Sequence, residues 1–340
     1  MSTSGETDGL KSSDQTSGVQ PKQPIRPECV TKRRLGCAAV ACGVIGAAAV
    51  AIILLVLPRT DPADLPPPCL TGCANFSHAL WTDVLRGRLR PSSRGGVDYT
   101  GFDYEGLRQD QTAFRQYLQQ LEDADLPSLG LPERKALFIN AYNALAVKVL
   151  LDMCSDGKLC DSIRDITQVW NQPAGQIGGS GEDHLYSLDK IEHDTIRNTQ
   201  YFPRDSRIHA AVNCASVSCP DLYPEAFEGE TLDEQLDDAT RSWLANPTKG
   251  LAADQAGNTL TLSKIFYWYE SDFEAEPGGM LAFVARHAPS EVQQWLRTAS
   301  PGVSYFSYDW NVNAHSTSTS TSRRGELCAW LSVSVALAYA

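Results

Sequence analysis

The chain has 340 residues, of which 42% are hydrophobic, 9% aromatic and 21% charged. This balance excludes a wholly disordered chain and is sufficient to bury a core. The net charge of -12 is unevenly placed: residues 1–34 hold six Lys/Arg against four Asp/Glu, and everything beyond holds 23 against 37. An acidic domain is a poor fit to a phosphate backbone, which is bound by basic patches, so no nucleic-acid partner is expected.

Residues 1–28 are dominated by Ser, Thr, Gly, Gln and Pro, too apolar-poor to offset chain entropy, so 1–34 reads as a disordered tail. From Leu35 to Leu57 runs LGCAAVACGVIGAAAVAIILLVL, 23 residues without a charge. At about 1.5 Å per residue this crosses a hydrocarbon core of roughly 30 Å with some tilt. The run is longer than the apolar part of a cleaved signal peptide and ends in Pro58-Arg59-Thr60-Asp61, which predicts an uncleaved signal anchor. Lys32, Arg33 and Arg34 abut its N-terminal end, so the N-terminus is expected in the cytoplasm and the main domain on the lumenal or extracellular side. Cys29, Cys37 and Cys42 lie beside or inside the run, as apolar thiols or as acylation sites.

Residues 58–74 read as a linker whose PRTDPADLPPP stretch is a semi-rigid spacer, followed by the sequon Asn75-Phe76-Ser77. Apolar residues at three- and four-residue spacing predict helices over 76–89, 105–121, 232–244 and 280–298. Pro132-Glu133-Arg134 opens the most apolar helix, which is expected to run to Met153. Strand signals cover Arg207–Asn213, Thr259–Leu262 and Val303–Tyr308. The expected architecture for 75–313 is therefore a single α+β domain, rich in helix with a small β-sheet and preceded by one transmembrane helix. The tail 314–340 combines a Ser/Thr-rich stretch with an apolar end, the outline of a lipid-anchor signal or an irregular terminus.

The segment ERKALFINAYNALAVKVLL (133–151) resembles the opening block of the domain-of-unknown-function family 547. Ser162-Ile163-Arg164-Asp165, SLDKIEHDTIR (187–197), RIHAAVNCASVSCPDLYPEAF (207–227), LSKIFYWYESDF (262–273) and YFSYDWNVN (305–313) follow in order. The resemblance implies one shared domain over most of 75–313 and lends no reaction. An anchor and a Gly-rich insertion at 175–181 set this chain apart.

Asn140 and Asn143 sit one turn apart on the apolar helix, where each amide needs a partner. They either tie loops together or orient a catalytic histidine or a ligand. His193 follows Glu192 on a helical segment, and His209 lies on the expected strand, whose alternation puts Arg207, His209, Ala211 and Asn213 on one face. Cys214 and Cys219 close that strand in N-C-A-S-V-S-C-P and read as a disulfide, a nucleophilic thiol, or metal ligands. Cys69/Cys73 and Cys154/Cys160 are further close pairs suited to an exported address. In an extended chain His209 and Cys214 lie roughly 16 Å apart, which would make His193 the base unless the chain folds back at Asn213.

Two functions follow from different classes. One is a thiol-dependent hydrolase or acyl transferase with Cys214 as nucleophile, His193 or His209 as base, and Asn140 orienting the ring. The other is a ligand- or protein-binding ectodomain in which Asn140, His193, His209 and Asn213 line one cleft with Cys214 at its rim. The pattern assigns no cofactor and no metal. The partners it implies are the membrane and a small-molecule or protein ligand.

Overall fold

The computed structural model describes residues 65–154 and 158–315. The chain divides into two units, Met1–Leu57 and Pro58–Ala340, and every described residue lies in the second. The apolar run 35–57, the N-terminal tail and the Ser/Thr-rich end from 316 lie outside the described residues.

Pro132 in the first turn, where its missing N–H removes no helical bond, and Glu133 at the positive end start the central helix α4 (Leu131–Met153). Apolar residues surround the whole circumference, so the helix buries on every side, with 17 of its 23 residues buried. Among the described residues α4 alone is long and apolar enough to cross a membrane, and it is packed inside the domain.

Before it come α1 (Ala79–Arg88), the hairpin β1 (Leu89–Arg94) and β2 (Val97–Phe102), α2 (Tyr104–Gln109) and α3 (Thr112–Glu122). The helix expected over 105–121 breaks because the Asp110 carboxylate accepts from the Thr112 N–H at 3.1 Å and restarts the chain. The hairpin turns on Gly95 and Gly96, with φ of 58° and 85°, values that glycine adopts without steric cost.

After α4 the chain forms the short hairpin β3 (Gly175–Gln176) and β4 (Leu185–Tyr186), a π-helical segment Lys190–Ile196, α5 (Ile208–Ala211) and α6 (Leu232–Ala245). Then come β5 (Leu251–Asp254), β6 (Thr259–Leu262), α7 (Lys264–Trp268), α8 (Glu270–Glu274), α9 (Gly279–His287), α10 (Ser290–Leu296) and β7 (Gly302–Tyr305). β6 pairs antiparallel with β5 and parallel with β7. The helix expected over 280–298 divides at Pro289 into α9 and α10. Helices with small sheets are thus the architecture.

The expected strand Arg207–Asn213 is not one. Asp205 accepts the N–H of Ile208 through its carbonyl and that of Arg207 through its carboxylate, and Ala210 and Ala211 favour the helical turn that follows. Ile208 through Asn213 are all buried, so no exposed face exists for alternation to mark.

The proline stretch is docked onto the domain from Leu65 onward. The buried Arg134 guanidinium donates to the carbonyls of Pro66 and Pro67, and the Cys69 N–H donates to Leu129 O at 3.1 Å. At the other end, 311–314 bridges to Ser162, Ser216 and Phe102 and closes the domain across three remote segments. The sulfurs of Cys69 and Cys73, and of Cys154 and Cys160, are joined as disulfides.

Candidate functional site

Two buried polar clusters meet near Tyr142 of α4. The first is assembled by the π-helical segment, α5 and the α7–α8 junction. The wider π turn, in which the Arg197 N–H reaches Glu192 O at 3.0 Å, aims Glu192, His193 and Arg197 at one neighbourhood. There Asp272 accepts from Arg197 twice, Nε to Oδ2 at 2.8 Å and Nη2 to Oδ1 at 3.1 Å. Asp272 Oδ2 also accepts from His209 Nε2 at 2.9 Å. The Tyr269 hydroxyl donates to Glu192 Oε1 at 2.5 Å, and its ring lies 4.1 Å from that of His209.

Charge explains why this arrangement holds. Burial alone would raise the Asp272 carboxyl, but the bonds from His209 and Arg197 outweigh it and hold the group well below the usual carboxylate range. Burial likewise opposes ionisation of Glu192, and nearby His193, the Tyr269 hydroxyl, His209 and Arg197 bring it below its ordinary value. Burial lowers His209, against the opposing bond to Asp272. An arginine only donates, so His193 Nδ1, 2.5 Å from Arg197 Nη1, accepts; the ring proton then sits on Nε2, 3.6 Å from Asp189 Oδ1.

The second cluster is the turn after α5. Ala215 adopts φ of 57°, and its N–H is held at 2.7 Å by the side chain of Asn213. A left-handed alanine costs about 1–2 kcal/mol, so the surrounding contacts must enforce it. The turn brings Cys214 and Cys219 together as free thiols. Cys219 Sγ accepts from the Cys214 N–H at 3.1 Å and lies 3.1 Å from the Tyr308 hydroxyl. Cys214 Sγ lies 3.3 Å from Ser216 Oγ and 3.5 Å from Tyr308 OH. Of the two, Cys219 is the one that carries charge more readily, because donors converge on it; its bond to Cys219 and burial raise Cys214 well above the ordinary thiol range. Buried Lys249 fixes the loop from behind, donating to Val217 O, Cys219 O and Asp221 Oδ1 at 3.2, 2.7 and 2.6 Å.

Tyr142 joins the clusters electrostatically: burial raises its hydroxyl well above the ordinary range, and Glu192, Cys214, Tyr269 and Cys219 add to the effect. His193 and His209 are brought to one ring, Tyr269, with centroids 6.1 and 4.1 Å from it. Asn140 is elsewhere, exchanging both bonds of its amide with the backbone of Phe227 at 2.7 and 2.9 Å. Asn143 ties Ala211 O and the Asn213 N–H in the same way, at 2.9 and 2.8 Å. Asn213 in turn donates to Pro220 O at 2.6 Å. The three amides therefore hold backbone rather than an imidazole. Among the described residues no histidine nitrogen hydrogen-bonds either free thiol.

Arg197, Tyr269, Asp272, Ser216 and Tyr308 escaped the sequence reading as site residues. Each lies inside a block that carried the family resemblance, and that was the available signal. A groove of about 710 Å³ adjoins the first cluster. It is lined by Phe202–Asp205 and Arg207, by the start of α4, and by parts of α6 and α9, and Arg204 spans from it to Asp272 Oδ1 at 3.5 Å.

A helical core with small sheets, a buried carboxylate–imidazole–guanidinium cluster and a dithiol turn define the class of domain. Residues 126–244 match the family described as Protein of unknown function, DUF547. Tyr269, Asp272 and Tyr308 complete the two clusters from beyond the matched stretch. No curated protein and no solved structure matches the chain.

Proposed function

We propose that the chain is a single-pass membrane protein whose exported domain binds a small charged ligand. The observation that carries the binding reading is the partnering of Cys214: hydroxyls and a second thiol surround it, and its acidity is suppressed where a nucleophile needs it enhanced. The groove supplies the binding surface, with a volume inside the usual range for small-molecule sites of roughly 300–1,000 Å³. Its lining is ion-paired: Arg207 bonds Asp233 and Asp237 at 2.7 and 2.6 Å, Arg286 bonds Glu276 at 3.3 Å and Lys135 bonds Asp205 at 2.9 Å, so a ligand bearing both signs, such as an amino acid or a short peptide, can exchange with these pairs.

The exported address is supported by the uncharged run 35–57 behind a basic flank, by the two disulfides, and by the exposure of Asn75 in its sequon. In glycosylating microsomes the chain should gain one glycan that Asn75→Gln removes; absence of any glycan would count against this topology. For binding, the full chain in detergent is titrated calorimetrically with a panel of amino acids and dipeptides. Saturable heat that Arg204→Ala reduces is expected, and a silent panel would refute a zwitterion site.

One observation favours a thiol-dependent hydrolase or acyl transferase as a second reading. Asp272 accepts from Nε2 of His209, which leaves Nδ1 as the basic nitrogen, the carboxylate–imidazole half of a triad. Labelling of Cys214 by an electrophilic probe separates the two. Labelling that collapses in His209→Gln would establish the enzyme, whereas slow labelling indifferent to that change fits the binding domain.

A further inference from the structure

Outside both clusters, three side chains from distant parts of the sequence converge: His78 at the start of α1, Glu133 in the first turn of α4, and Glu228 ahead of α6. One ligand atom from each lies within 4.8 Å of the other two. His78 is 1% exposed, and its Nε2 has no hydrogen-bond partner among the described residues. A buried ring nitrogen left without a partner costs about 1–3 kcal/mol, so this is an arrangement that calls for something to meet it.

We propose that His78, Glu133 and Glu228 form a site for a divalent transition-metal ion, with His78 Nε2 and one carboxylate oxygen from each glutamate as ligands. The surroundings are those such a site needs. His78 Nδ1 lies 2.9 Å from the Tyr117 hydroxyl, and donation there fixes the tautomer whose Nε2 lone pair is free. Glu133 accepts the N–H groups of Phe76 and Gly229 at 3.2 and 3.1 Å, which orients its carboxylate and leaves each oxygen a further lone pair.

One imidazole and two carboxylates is a donor set for Zn²⁺ or Mn²⁺, and three protein ligands leave a position open to water. Bonds of about 2.0–2.2 Å hold ligand atoms roughly 3–4 Å apart, so small side-chain rotations close the observed set onto an ion. The ion would tie the starts of α1 and α4 to the loop before α6. This inference is independent of the ligand groove and of the thiols.

The test is calorimetric titration of the full chain, purified in detergent and stripped with EDTA, using ZnCl₂ alone. One equivalent should bind, and Glu228→Gln, a conservative change at a half-buried position, should weaken it at least about tenfold. His78→Gln should do the same, and Cys214→Ser with Cys219→Ser should leave it unchanged. With Co²⁺ as the probe, visible d–d bands without a thiolate-to-cobalt charge-transfer band identify oxygen and nitrogen ligands. No uptake, uptake indifferent to both ligand variants, or a purely thiolate spectrum would overturn the assignment.

Discussion

Replacing Asp272 by Asn tests whether the first cluster is an ion-pair clamp. The change keeps the shape but removes the charge that faces Arg197, His209 and Arg204, and it presents an NH₂ to groups that donate. The side chains of Asp272 and Arg197 are 14% and 23% exposed, so the guanidinium left behind is poorly hydrated. Removing one partner of such a buried pair costs about 3–5 kcal/mol. The lower end, about 3 kcal/mol, applies where other favourable contacts persist; here Arg197 keeps its place over the Tyr269 ring at 4.8 Å. For a domain of this size that corresponds to a fall in Tm of roughly 6–12 °C.

The pH dependence has a defined sign. Asp272 is depressed in the fold, so its contribution is complete above the ordinary carboxylate range and is lost as pH falls below it. His209 is depressed too, and without Asp272 it falls further, so the variant loses additional stability as pH drops below the ordinary histidine value. The gap between wild type and Asp272→Asn should therefore widen below about pH 6.5 and narrow only below about pH 4. Urea unfolding followed by fluorescence at several pH values measures it. A difference within about 0.5 kcal/mol at neutral pH, the range of an ordinary surface substitution, would refute the clamp.

A fragment spanning 65–315 should unfold in one cooperative transition, and one spanning 75–315 should be less stable by about 3 kcal/mol, since it lacks the Pro66 and Pro67 carbonyls that satisfy Arg134. Equal stability of the two would show that the proline segment is a free linker. Lys249→Ala should cost about 3 kcal/mol by stranding the Val217 and Cys219 carbonyls and Asp221, and should speed alkylation of Cys214 by a small maleimide. Unchanged unfolding and labelling would show that Lys249 does not brace the thiol turn.

Residues with a local physical reason were legible in the sequence. Pro132 and Glu133 marked the start of α4, its apolar circumference marked it as buried, and the alternation of Thr259–Leu262 marked β6, because capping and burial pattern act within one stretch of chain. The charge-free run before Pro58 set the membrane expectation by the same kind of local signal. His193, His209 and Cys214 were visible as chemistry, but their partners were not. Asp272 pairs with His209 across 63 positions and Tyr308 meets Cys214 across 94, and no periodicity encodes a contact at that distance. Tertiary structure also decided the conformation of 207–213, where the expected strand gives way to the four-residue helix Ile208–Ala211, buried on all sides with Asp205 accepting the Arg207 N–H ahead of it. Local propensity is a few tenths of a kcal/mol per residue, whereas full burial of one large apolar side chain is worth about 1.5–3 kcal/mol, so where the two disagree the packing prevails.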